Sequence, residues 1–222
     1  SMISIYVVLT LVNQQSDTDS NWFQPNEISI HDKLVKVNHH EAIMAKSIIP
    51  ITSSNNQLEK IVGHESILKE IDSILHLCVT YGNDKNKPNI LEPPNGILLY
   101  GPPGTGKTTL AKMIAKKMHK QCSFLHVSPD NIENKYYGEG LKQLTAIFTL
   151  AKKIKPCVIF FDEIDGYMST RSSQDQSHTN TMKTTLLTLL DSIQDEWNIL
   201  FIGTTNRKNF LDPALLRRLH IQ

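Results

Sequence analysis

The 222-residue sequence has little that marks a specialised class of chain. It has three cysteines, Cys78, Cys122 and Cys157, an odd number with no clustering. That count excludes a disulfide framework and a zinc-ligand spacing and fits a reducing compartment. Aromatic residues make up 7% and charged residues 20%, while the hydrophobic share, 40%, is that of an ordinary globular chain. Collagen-like, low-complexity and wholly disordered readings are therefore out. Charge of one sign is also lacking. Lys plus Arg is 23 against 22 for Asp plus Glu; residues 1–60 come to −2 and residues 61–222 to +3. Neither part is basic enough to argue for nucleic acid, and no nucleic-acid partner is expected. No internal repeat is found.

A long hydrophobic run is missing as well. The apolar stretch Met2–Val12 has 11 residues, roughly 16 Å as a helix against a hydrocarbon core of about 30 Å, so it does not span a membrane as it stands. No Lys or Arg precedes it, which makes it a poor signal peptide. Its β-branched content suits a strand or docked segment; the end of a longer membrane helix and a disordered tail are the alternatives. Ser1 is set aside as a cloning scar. Residues 13–30 read as loop, residues 31–47 as containing a short helix, and Pro50–Gln57 as a linker. We therefore divide the chain into an N-terminal extension, residues 1–57, and one domain, residues 58–222.

In that second part the texture changes. Ser66–Tyr81 has Ile67, Leu68, Ile71, Ile74, Leu75 and Cys78 at helical spacing, and Pro88–Asn95 is a proline-rich loop. Short apolar runs then alternate with longer amphipathic ones. Strands are expected at 97–100, 122–127, 158–161 and 199–202, and helices at 107–120, 141–155 and 180–192. Such alternation implies an α/β fold: a parallel sheet with helices on both faces, a three-layer α/β/α sandwich.

The first strand runs straight into GPPGTGKTT, residues 101–109, which fits G-x-x-x-x-G-K-[ST]. Glycines such as Gly104 and Gly106 let backbone N–H groups approach phosphate oxygens, and the following helix presents its positive end to the same anion. Lys107 adds a point charge at the β- and γ-phosphates, and Thr108 offers a hydroxyl to Mg²⁺. Pro103, Thr105 and Thr109 complete the expected nucleotide-binding stretch. About 55 residues on, the apolar run Val158–Phe161 ends in Asp162 and Glu163. Acids at the carboxyl end of a buried parallel strand lie in the ligand crevice. Asp162 is the expected Mg²⁺ ligand and Glu163 the group that orients and deprotonates an attacking water, with Asp165 a weaker third acid. Together these motifs point to a nucleoside triphosphatase site with ATP or ADP and Mg²⁺ as cofactors.

With GPPGTGKTT, FFDEID (160–165), GTTNR (203–207) and LDPALLRR (211–218) in this order, the chain resembles the AAA family of hexameric ATPases over roughly residues 58–219. The resemblance implies more than the residues alone do. Asn206 is implied as the polar sensor that helps hold the attacking water. Arg217 and Arg218 are implied as arginine fingers reaching a neighbouring subunit's site. Val62 and Gly63 would lie against adenine. Tyr136 and Tyr137 would sit in a pore loop that grips a polypeptide by apolar contact. The stretches 91–100 and 134–139, with Arg171–Ser173, resemble the group that holds katanin, spastin and the mitochondrial outer-membrane dislocases, the last being nearest in texture. Implied partners are a homo-hexamer, a polypeptide substrate and a membrane tether; the implied location is the cytoplasm, with anchoring to the mitochondrial outer membrane or the peroxisome as a further option. Microtubule severing is the alternative activity, and the −2 charge of residues 1–60 does not supply the basic linker that such enzymes use on acidic tubulin tails. A nucleotide-binding module without turnover is the alternative of another class. The family pattern continues into a fifth strand and a helical lid beyond Gln222, so this stretch alone is expected to bind nucleotide weakly and to form hexamers poorly.

Overall fold

The computed structural model describes residues 26–30, 33–48, 69–71, 73–74, 76, 95–118, 122–129, 132, 138–167 and 176–219. Strands β1 (Asn26–Ile30) and β2 (Lys33–Val37) form an antiparallel pair, followed by helix α1 (His39–Ala45). Strand β3 (Gly96–Tyr100) leads to α2 (Lys107–Met118) and β4 (Ser123–Val127). Helix α3 (Glu139–Lys153), β5 (Cys157–Phe161), α4 (Gln176–Asp191), β6 (Ile199–Thr205) and α5 (Pro213–Arg218) complete the order.

Strands β3 to β6 make one parallel sheet in the order β3-β6-β5-β4. Alternate side chains of each strand enter opposite cores, as the two-residue period of a strand requires. Cys157, Ile159 and Phe161 face a layer with α1, α3, α4 and α5, while Val158 and Phe160 face α2 and the helical residues Ile71 and Ile74. On the first side Phe148 of α3 stacks with Phe201, centroids 6.2 Å apart, and Phe201 lies 5.2 Å from Phe161. With both faces covered, β5 and β6 are buried along their whole length, which is why they read as near-continuous apolar runs. The expected three-layer α/β/α sandwich is the observed fold.

The N-terminal reading changes in two places. Residues 26–30 are a strand rather than loop, and the short helix expected within 31–47 occupies 39–45, with strand β2 ahead of it. Ile28 and Val37 are buried, so this hairpin is held by apolar burial that its polar texture conceals. Helix α1 packs against α3. Its start is a capping box, with the Glu41 N–H donating to Asn38 Oδ1 and the Asn38 N–H to Glu41 Oε2, both at 2.8 Å. Beyond α1, Ile48 bridges Leu125, and the His126 N–H donates to the Ser47 carbonyl at 2.9 Å. The N-terminal segment thereby covers the exposed edge of β4, a position that would otherwise invite pairing with another chain. Met2–Val12, the 50–57 linker and most of the 66–81 helix lie outside the described residues. No helix among the described residues is long and apolar enough to cross a membrane.

Candidate functional site

The carboxyl ends of β3, β5 and β6 converge on a cavity of about 280 Å³. Its walls are Pro103, Gly104, Gly106, Lys107, Thr108 and Thr109 from the glycine-rich loop, Asp162 and Glu163 after β5, and Thr204, Thr205 and Asn206 from the end of β6. The expected site residues that touch this cavity come from three strand ends, those of β3, β5 and β6, and the parallel sheet is what gathers them.

The loop takes the shape its glycines permit. Gly104 and Gly106 have φ of +82° and +87°, left-handed values that other residues seldom adopt. The Thr105 hydroxyl donates to the Pro102 carbonyl at 2.9 Å, bracing the turn. The Lys107 ammonium donates to the carbonyls of Gly101 (2.9 Å) and Pro102 (2.8 Å) and reaches Thr105 Oγ1 at 3.3 Å. Lys107 thus folds over the loop at the start of α2, where helix dipole and ammonium favour the same anion.

The acids are held from several sides. The Thr108 hydroxyl lies 3.1 and 3.0 Å from the two Asp162 oxygens, and the Thr204 hydroxyl donates to Asp162 Oδ1 at 2.6 Å. His126 Nε2 stands 3.9 Å from Oδ2, its ring stacked on Phe160. Partial burial alone would raise the Asp162 carboxyl; the nearby His126 ring and hydrogen bonds from Thr204 and Thr108 outweigh it and lower the carboxyl to about 2. Asp162 is therefore fully ionised at neutral pH. Glu163 follows at φ +49°, the one left-handed non-glycine backbone among the described residues, and its side chain is exposed beside the cavity. Strain of this kind persists only where the surroundings hold it, and it concentrates at working sites. Here the Glu163 N–H donates to Thr204 Oγ1 at 2.9 Å. Asp165 does not line the cavity; it accepts from the Thr205 hydroxyl at 2.8 Å, and Thr205 in turn accepts from the Arg207 N–H at 2.9 Å. That chain braces the loop carrying Asn206.

Thr108 and Asp162 offer a hydroxyl and a carboxylate within 3.1 Å of each other on the cavity wall. Such hard oxygen donors fit Mg²⁺, which keeps several waters and takes one or two carboxylates plus phosphate oxygens. No group of three or more His, Cys, Asp or Glu suited to a metal occurs among the described residues.

Arg217 and Arg218 are not part of this cavity. Arg217 is exposed near the end of α5. Arg218 forms a two-pronged pair with Asp191 of α4, Nε–Oδ1 2.5 Å and Nη2–Oδ2 2.8 Å, and also donates to the Ala214 carbonyl. Val62, Gly63, Tyr136 and Tyr137 lie outside the described residues. Sequence reasoning passed over Thr204 and His126. Thr204 was detectable by the logic that found Asp162, as a polar residue ending an apolar strand. His126 carries no such signal.

A parallel sheet whose strand ends present a glycine-rich loop, a lysine at a helix start and an acid pair defines a P-loop nucleotide-binding domain. Residues 97–222 match the ATPase family associated with various cellular activities (AAA), and the chain belongs to that family. It is 35% identical over 189 residues to the outer mitochondrial transmembrane helix translocase of Xenopus tropicalis, covering 84% of this chain and 52% of that protein. It is 35% identical over 189 residues to the mitochondrial sorting homolog of Caenorhabditis elegans, covering 85% and 54%. Among solved structures it resembles the FIGL-1 AAA domain in complex with ADP, with a TM-score of 0.63, 31% identity, and coverage of 81% of this chain and 58% of that one. The chain spans about half the length of the curated relatives it matches.

Proposed function

We propose that this chain is the ATP-hydrolysing part of a motor that extracts or unfolds protein substrates through the pore of a homo-hexamer, working on membrane proteins from the cytosolic face of the mitochondrial outer membrane. The observation that carries the proposal is the convergence of Lys107, Thr108, Asp162, Glu163 and Asn206 on one cavity. In this reading the 101–109 loop and Lys107 bind the triphosphate. Thr108 and Asp162 hold Mg²⁺, which supplies charge neutralisation at the phosphates when bound. Glu163 accepts the proton of the attacking water, and Asn206 orients that water. Arg217, exposed at the end of α5, serves a neighbouring subunit's site, and Arg218 anchors that helix end through Asp191 while standing second in line for the same role. Val62 and Gly63 contact the base, and Tyr136 and Tyr137 grip the substrate.

The membrane task is supported by the names of the relatives, one of which is called a transmembrane helix translocase. Residues 1–57 are the extension that links motor to tether, and 58–222 the nucleotide-binding domain. The test uses the longest native chain. Wild type should release phosphate from ATP, and Glu163→Gln should bind ATP without releasing it. Tyr136→Ala should hydrolyse ATP yet fail to extract a tail-anchored protein from vesicles. Unchanged extraction by Tyr136→Ala would remove the pore-loop assignment; absence of turnover in wild type would remove the motor.

A further inference from the structure

Thr204 stands in a strand, ILFIGTT, that is otherwise apolar up to its glycine, and it is 1% exposed. It pairs in register with Leu99 of β3. Packing alone gives no reason for a hydroxyl here, because valine has the same shape and burying an unbonded hydroxyl is costly. The hydroxyl has one proton and two lone pairs. Its proton goes to Asp162 Oδ1, 2.6 Å away, and a lone pair takes the Glu163 N–H at 2.9 Å. One atom therefore grips both acids: the carboxylate of the first and the backbone of the second. The grip on Glu163 falls where φ is +49°, at the residue whose backbone most needs holding. Thr108 meets Asp162 from the opposite wall, so Thr204 fixes the plane of a carboxylate that the loop also uses.

We propose that Thr204 is a positioning residue of the acid pair, its hydroxyl aligning Asp162 toward the Mg²⁺ site and Glu163 toward the attacking water; this rests on the reading of the cavity as an ATPase site. In this assignment Thr204 acts through the two acids it holds.

The test compares wild type, Thr204→Val, Thr204→Ser and Glu163→Gln in the longest native chain, with folding checked by thermal melting. Groups that orient a metal ligand typically change metal affinity or activity by 10- to 100-fold. Thr204→Val should therefore lower kcat by roughly tenfold or more, with the KM for ATP at saturating Mg²⁺ within about twofold, because Lys107 and its loop are untouched. Mn²⁺ binding to the chain–ADP complex, followed by electron paramagnetic resonance without turnover, should weaken by roughly tenfold in the same variant. Thr204→Ser keeps the hydroxyl and should restore both. If the valine variant does not fold, Thr204→Ala is read in its place. Wild-type kcat and Mn²⁺ affinity in Thr204→Val, or a serine variant as impaired as the valine one, would overturn the assignment while leaving the site reading intact. Wild type with neither turnover nor Mn²⁺ binding would overturn the site reading and this assignment with it.

Discussion

Two glutamates show how differently this fold treats a carboxylate. Glu41 on α1 is 1% exposed. Its burial would raise the carboxyl, but Lys153 of α3, the Asn38 N–H and the Thr149 hydroxyl outweigh that and hold it below the ordinary range. Lys153 Nζ sits 2.6 Å from Glu41 Oε2 and donates to the Lys36 carbonyl at 3.0 Å. Its Oε2 is taken within the fold, by the Asn38 N–H and by Lys153. Glu163, by contrast, is exposed at the rim of a cavity on a left-handed backbone. A buried, fully paired charge fixes how the N-terminal segment docks on α3. A strained, open one beside converging polar groups is placed for chemistry. Burial and pairing, not residue type, separate the two.

The same substitution at both positions breaks the comparison most sharply. Glu163→Gln should lower kcat by roughly 10²- to 10⁴-fold, the usual worth of a positioned base, with ATP binding kept and the melting temperature nearly unchanged. Phosphate release and nucleotide titration on one sample read both. Glu41→Gln should do the reverse. It removes a charge-assisted hydrogen bond worth about 2 kcal/mol, discounted little because Glu41 itself is buried, and lowers Tm by about 4–8 °C for a chain of this size. Turnover per folded molecule should stay as in wild type. Loss of catalysis in Glu41→Gln with an unchanged Tm would erase the distinction.

Acid sharpens it further. The folded-state carboxyls of Asp162 and Glu41 both lie below their unfolded values, Asp162 at about 2. The unfolded chain therefore binds more protons across that window. The stability these groups contribute is present above about pH 4 and is lost as pH falls toward about 2. Thermal melts from pH 5 downward should show a falling Tm in wild type and a shallower fall in Glu41→Gln. Parallel curves would mean that Glu41 ionisation does not hold the docking seam. The smallest effect is expected at the surface. Asp191→Asn removes the partner of Arg218, a pair half open to water, and should cost under about 1 kcal/mol by chemical denaturation.

Much of this arrangement was readable in the sequence because its signals are local. Val158–Phe161 announces a buried strand, and Asp162–Glu163 marks where that strand meets water. Gly101–Thr109 carries its turn chemistry in consecutive residues. What escaped depends on distant partners. Thr204 can be marked as a polar residue at a strand end, but what it holds shows only when Asp162, 42 positions away, is found against its hydroxyl. Glu41 is an ordinary polar residue of a short helix until Lys153, 112 positions on, arrives beside it. Asn26–Ile30 looks like loop because Asn26, Glu27 and Ser29 mask the alternation that buries Ile28. At the left-handed turn of Glu163 the N–H donates to Thr204, 41 positions away, and a residue other than glycine gives no warning of such a turn.

On the proposed reading, the ends of β3, β5 and β6 form one triphosphate site in which Lys107 supplies the cation. Titration calorimetry of ATP with Mg²⁺ into the longest native chain, wild type beside Lys107→Ala, tests it most directly. One saturable ATP site per wild-type chain is expected, with most of that heat lost in a folded Lys107→Ala variant. Equal binding by the two proteins would contradict it.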